Sequence, residues 1–190
     1  IIYADLLWGG SYNTGESNVT SSLNTAVTFT TPTGTYSVQP DSSTNLTNGI
    51  YYVRSANVTG LLQLGGMGSY AVKGVPAAYG DNANSHTAGW TLAVIYESGL
   101  LPTRNLTVFV GAELSGDPPA AISGFCTPNS GLLKARALVS AMEGDARLGG
   151  DKFLFGATSA LTDAHRLRGP NNPLNNFFAG QINNSNGALD

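Results

Sequence analysis

The segment Glu143-Gly144-Asp145-Ala146-Arg147-Leu148-Gly149-Gly150-Asp151 sets three carboxylates in a glycine-rich stretch. Hard cations such as Ca²⁺ gather about 6–8 oxygens, and acids on a flexible turn supply them. Glu143, Asp145 and Asp151 are therefore candidate calcium ligands. Their spacing differs from an EF-hand loop, in which acids alternate at the start and a Glu closes the loop. The other reading is a solvated turn in which Arg147 pairs with a neighbouring acid.

A second group suits recognition. Tyr12 and Tyr79 border two long polar stretches, Asn13 to Asn24 and Gly80 to Ala88. Tyrosine combines an apolar ring with a polar tip, so an exposed one can stack on a sugar and hydrogen-bond beside it. With Asp81 and Asn82, these tyrosines are candidate ligand contacts. Loops of this length in a compact domain are usually functional or mobile. Trp8 and Trp90 lie in apolar runs and are expected in the core.

Catalytic patterns are weaker. Glycoside hydrolysis needs two acids facing each other at about 5–9 Å. Glu97, Glu113 and Glu143 are the candidates, and nothing in the sequence sets any two face to face. The two histidines, His86 and His165, are expected in exposed loops. No Gly-x-Ser-x-Gly elbow accompanies them, and two histidines alone make a poor zinc site. The three lysines are Lys73, Lys134 and Lys152; Lys73 reads as an outward charge on a strand, not as half of an isopeptide crosslink. The Asn-x-Ser/Thr triplets at Asn18, Asn45, Asn57, Asn105 and Asn183 follow from a chain rich in Asn and Thr. Cys126 is the single cysteine, which removes any intrachain disulfide and fits a small buried thiol. The chain is expected to be non-catalytic.

The elements that must carry these residues are short strands. Ile1 to Trp8 reads as a buried strand closed by Gly9-Gly10. Ala26 to Thr31 and Thr35 to Gln39 alternate around Pro32-Thr33-Gly34 and predict a hairpin. Tyr51 to Ser55, Gly68 to Val75, Gly89 to Tyr96, Arg104 to Val110, Leu132 to Met142 and Lys152 to Phe155 complete the strands. Between them, Asn57 to Leu62 predicts a helical turn or short loop, with Asn57 or Thr59 accepting from a free amide. Helix propensity competes over Leu132 to Val139, where the alternation favours a strand. Many short strands with few helical patterns predict an all-β, antiparallel two-sheet β-sandwich of jelly-roll type. It is expected over residues 1–168, with 169–190 an Asn/Gly/Pro-rich linker or docked irregular segment.

Charged residues are 11% of the chain, against roughly 25% in ordinary soluble domains. The net charge is −3 and the nine Lys and Arg are scattered, so no cationic patch serves a nucleic-acid backbone. No run approaches the ~20 apolar residues of a membrane span. The chain opens inside a strand, as an excised or processed module would.

Several pieces occur in a characteristic order. They are Ile2-Tyr3-Ala4-Asp5-Leu6-Leu7-Trp8-Gly9-Gly10-Ser11, Ala56-Asn57-Val58-Thr59 and Gly68-Ser69-Tyr70. Ala88-Gly89-Trp90-Thr91-Leu92-Ala93-Val94-Ile95-Tyr96-Glu97 is the fullest, followed by Pro102-Thr103-Arg104-Asn105-Leu106-Thr107, Ser123-Gly124-Phe125 and Glu143-Gly144-Asp145. In this order the chain resembles a β-rich domain of unknown function from large bacterial surface and secreted proteins of the adventurous-gliding-motility-associated type. That resemblance implies an extracellular or cell-surface, non-catalytic module for adhesion or for envelope or fibre assembly. Its partners would be a cell-surface or glycan ligand, or neighbouring domains of the same protein. A carbohydrate-binding module and a glycoside-active enzyme using paired carboxylates are the alternatives.

Overall fold

A computed structural model of the chain describes residues 1–80, 86–114, 116–127, 129–131, 135–142 and 144–184. The chain forms two compact units, Ile1–Leu114 with Gly124–Arg136, and Ser115–Ser123 with Ala137–Asp190. No helix among the described residues is long and apolar enough to cross a membrane.

The first unit holds strands β1 (Tyr3–Ser11), β2 (Val27–Thr31), β3 (Gly34–Val38), β4 (Leu46–Asn48), β5 (Tyr51–Asn57), β6 (Ala71–Lys73) and β7 (Ala88–Ile95), with helix α1 (Thr59–Gly65) between β5 and β6. One sheet has the order β4-β5-β1-β7 and the other β3-β2-β6. Every pairing is antiparallel. The fold is all-β with two open sheets, as the alternation predicts.

The core grows from that alternation. Ala4, Leu6 and Trp8 share one face of β1 and are fully buried with Val27 and Phe29 of β2, Tyr52 and Ala56 of β5, and Leu62 of α1. Leu6 and Phe29 each contribute about 1.5–3 kcal/mol by leaving water. Register reinforces the face: Leu6 lies opposite Ala56 on one side and Leu92 on the other, and Trp8 opposite Arg54 and Trp90. Helix α1 starts where expected. The Asn57 side chain accepts the Thr59 N–H at 3.0 Å, and the Thr59 hydroxyl accepts the Ala4 N–H at 2.9 Å.

Several expectations need correction. β1 does not stop at Gly9-Gly10; it runs through both glycines to Ser11. A Cβ on Gly9 would sit 2.4 Å from the Tyr52 carbonyl oxygen, and one on Gly10 would sit 2.6 Å from that of Thr87. The glycines let neighbouring backbones close in. Arg104 to Val110 joins no ladder, and Lys152 to Phe155 is reduced to a single bridge between Leu154 and Arg166. In the predicted strand Leu132 to Met142, residues 132–134 lie outside the described residues and 135–142 form no strand. Alternation permits a strand, but only a partner edge makes one. Trp90 is 38% exposed because β7 is the end strand of its sheet. Cys126 is exposed, in a segment that belongs to neither sheet. His86 and His165 are half-buried instead of exposed: His86 packs toward Gly80, and His165 closes a turn with Thr162 at 3.0 Å.

The second unit has a small aromatic centre. Phe177 lies 5.2 Å from Phe153 and 5.1 Å from Phe178, ring centre to ring centre. Residues 175–178 are held to the 150–151 turn: the Gly150 N–H donates to Asn175 O at 2.7 Å, and the Phe178 N–H to the Asp151 carboxylate at 2.7 Å.

Candidate functional site

The two polar stretches flagged by Tyr12 and Tyr79 meet at the Ser11 end of β1. Ser11 organises the junction. Its N–H donates to Thr87 O at 2.9 Å, its carbonyl accepts from Ala78 at 2.8 Å, and its hydroxyl accepts the Thr87 N–H at 3.3 Å. One residue thus fixes both stems of the Gly80 to Ala88 stretch. The Asn13 to Asn24 stretch folds back on itself through the Asn13–Asn18 bridge and the Val19 N–H donating to Tyr12 O at 2.9 Å. The Thr14 hydroxyl then donates to Tyr79 O at 2.8 Å, joining the two stretches.

Tyr79 projects from this junction with 76% of its surface exposed. Tyr12 is half-buried, and its hydroxyl is engaged by Gly49 O at 2.9 Å. Asp81 and Asn82 lie outside the described residues. Beside Tyr79, a Cβ on Gly80 would sit 2.7 Å from Glu16 Oε2 and 3.2 Å from His86 Cε1. A carboxylate and an imidazole therefore converge over a bare glycine backbone. This end sets one open aromatic ring beside a carboxylate, an imidazole and a hydroxyl group. Glu16 and His86 were not anticipated as neighbours. Each lies within a polar stretch, but they stand 70 positions apart in the chain.

Arg54 steadies the far stem of the first stretch. The side chain is buried and donates from Nε to Asn24 Oδ1 at 2.9 Å and from Nη1 to Leu46 O at 2.7 Å and Val53 O at 2.8 Å. Its guanidinium lies 5.4 Å from the Tyr52 ring centre. Neutral oxygens and a π face, all fixed, replace water around the cation.

The acidic turn lies in the second unit. Asp145 and Asp151 line one hollow of about 350 Å³ with Leu148 and Phe178. Glu143 lies outside the described residues. Among the described residues no three His, Cys, Asp or Glu side chains gather as a metal group. One oxygen of Asp151 already accepts the Phe178 N–H.

The catalytic candidates are not brought together. Glu97 and Glu113 are exposed, and Glu143 is not described. Asp5 is an acid whose pKa is pushed up, and sequence reasoning passed over it although it interrupts the apolar run Ile1 to Trp8. Burial raises it, the Tyr3 hydroxyl bonded to it pulls the other way, and nearby Asp41 adds to the rise. Asp41 is lowered by the Ser43 N–H at 2.9 Å and the Ser43 hydroxyl at 2.8 Å. Two acids pushed apart in this way resemble an acid–base pair. Asp5, however, is 5% exposed, which shuts it away from a substrate. Lys73 is exposed on β6, and Lys152 is paired with Asp163 at 2.9 Å.

Compared with protein-family models, curated proteins and solved structures, the chain matches none.

Proposed function

We propose that the chain is a non-catalytic attachment module of an exported bacterial surface or secreted protein, and that the Ser11 end of β1 is its contact face. The observation that carries this reading is the meeting of two long polar stretches around Tyr79. A structural tyrosine would bury its ring; this one presents it. Low charge and the resemblance to bacterial surface domains support an extracellular setting.

A glycan is the ligand class favoured by an open ring flanked by Glu16, His86 and Thr14. Sugar faces stack on aromatic rings, and their hydroxyls take bonds from groups of this kind. The test is binding of the intact chain to immobilised polysaccharides and to bacterial cells. Saturable binding that Tyr79→Ala weakens about tenfold is expected, the size of a single aromatic anchor. Binding unaffected by Tyr79→Ala would move the contact face elsewhere.

A further inference from the structure

The observation that reaches furthest beyond the contact face is the outer edge of β7. The Ser11 N–H bonds to Thr87 O at 2.9 Å, and the register continues through Gly9 with Gly89 and Leu7 with Thr91. In an antiparallel pair, residues alternate between turning their backbone groups to the partner and turning them away. Trp90, Leu92 and Val94 therefore turn their N–H and C=O groups away from β1. Their side chains add an apolar margin, with Trp90 38% and Val94 40% exposed. Natural edges of this length are normally blunted by charge, proline or a bulge. Ala88–Ile95 contains no charged residue and no proline.

A strand suited to that edge exists in the same chain. Arg104 to Val110 alternates Leu106, Val108 and Val110 with other residues, joins no ladder, and leaves Leu106 58% and Phe109 46% exposed. Pairing within one copy is ruled out by length. Ala112 O accepts from Asn48 Nδ2 at 3.0 Å, and Leu114 packs toward Gly49. Both contacts lie at β4, the opposite edge of the sheet. A strand added outside β7 would stand four strand spacings from β4, ~19 Å at ~4.8 Å each. The two residues from Val110 to Ala112 span at most ~7 Å.

We propose that β7 accepts the Arg104–Val110 segment of a second copy of this chain as an added strand. Donor segment and acceptor edge are different parts of the chain, and the donor leads into Ala112 and Leu114 beside β4 while the acceptor is β7, so the contact is head-to-tail and repeats from copy to copy. Main-chain bonds hold the added strand, and its alternating apolar side chains cover the margin at Trp90 and Val94. This inference does not depend on Tyr79 or on any ligand there.

The test measures molar mass by light scattering over a wide concentration range for the wild-type chain, Val94→Lys and Thr107→Pro. Circular dichroism confirms that each variant is folded. The first variant charges an exposed acceptor position, and the second breaks the donor strand. Wild type is expected to lengthen with concentration, and each variant alone to require at least about tenfold more protein, the cost of roughly one lost contact. An equimolar mixture of the two is expected to give one-to-one dimers and nothing longer, since each copy retains the half that the other has lost. A wild-type chain that stays monomeric throughout would overturn the proposal. So would Thr107→Pro assembling like wild type, which would mean β7 pairing with β7, or a mixture that forms no dimer while wild type assembles.

Discussion

Asp5 and Asp163 respond to acid in opposite directions. Burial holds the Asp5 pKa above its ordinary 3.8, so the folded state favours the protonated carboxyl. That contribution is complete below pH 3.8 and is lost as pH rises through the folded-state value. Asp5→Asn is therefore expected to melt higher than wild type at neutral pH, with the gap closing toward pH 3.8 in a series of thermal melts. Asp163 lies at about 2, held down by Arg166 and then Lys152. Its contribution is present above 3.8 and is lost between 3.8 and about 2. Amide exchange at Leu167, whose N–H bonds to Phe153 O at 2.8 Å, should speed up over that interval in wild type and show no such step in Asp163→Asn. Arg54→Ala removes a buried side chain and its three hydrogen bonds to half-buried and exposed oxygens, and is expected to cost about 2 kcal/mol by urea unfolding. At this scale the sequence was only partly legible. An acid inside an apolar run marks Asp5, while the approach of Glu16 to His86 depends on how distant segments return to one sheet end.

At the scale of elements, legibility followed the strength of alternation backed by a partner. Val27 and Phe29 with Tyr36 and Val38 announce a hairpin, and the structure pairs Val27 with Val38 and Phe29 with Tyr36. The same pattern in Arg104 to Val110 announces a strand that has no partner in its own copy. Gly9-Gly10 reads as punctuation because glycine usually marks turns, whereas here its missing side chain admits the backbones of β5 and the Thr87 segment. Gly9→Ala is thus expected to cost about 1–3 kcal/mol in unfolding free energy. The obstacle at 2.4 Å is a carbonyl oxygen on a central strand pair, which has little freedom to move.

For the whole molecule, composition and strand rhythm pointed to two antiparallel sheets, and the first unit has them. The division into two compact units is not marked by a break in turn composition: residues 137–184 carry more charge than the loops of the first unit but the same abundance of turn residues. Their cohesion comes from Phe153, Phe177 and Phe178, brought together by backbone bonds with no sequence signature. The proposed contact face was half legible. Tyr12 and Tyr79 come to one end of the sheet, where the contact face is proposed, but only Tyr79 is open, and its neighbours Glu16 and His86 emerged from the fold. That end carries the central claim, and binding of the intact chain to polysaccharides and bacterial cells, with and without Tyr79→Ala, tests it most directly. The account predicts saturable binding that the substitution weakens about tenfold while the melting temperature holds, because an exposed ring contributes little to stability. Absence of binding to every surface, or equal binding by the two proteins, would contradict it.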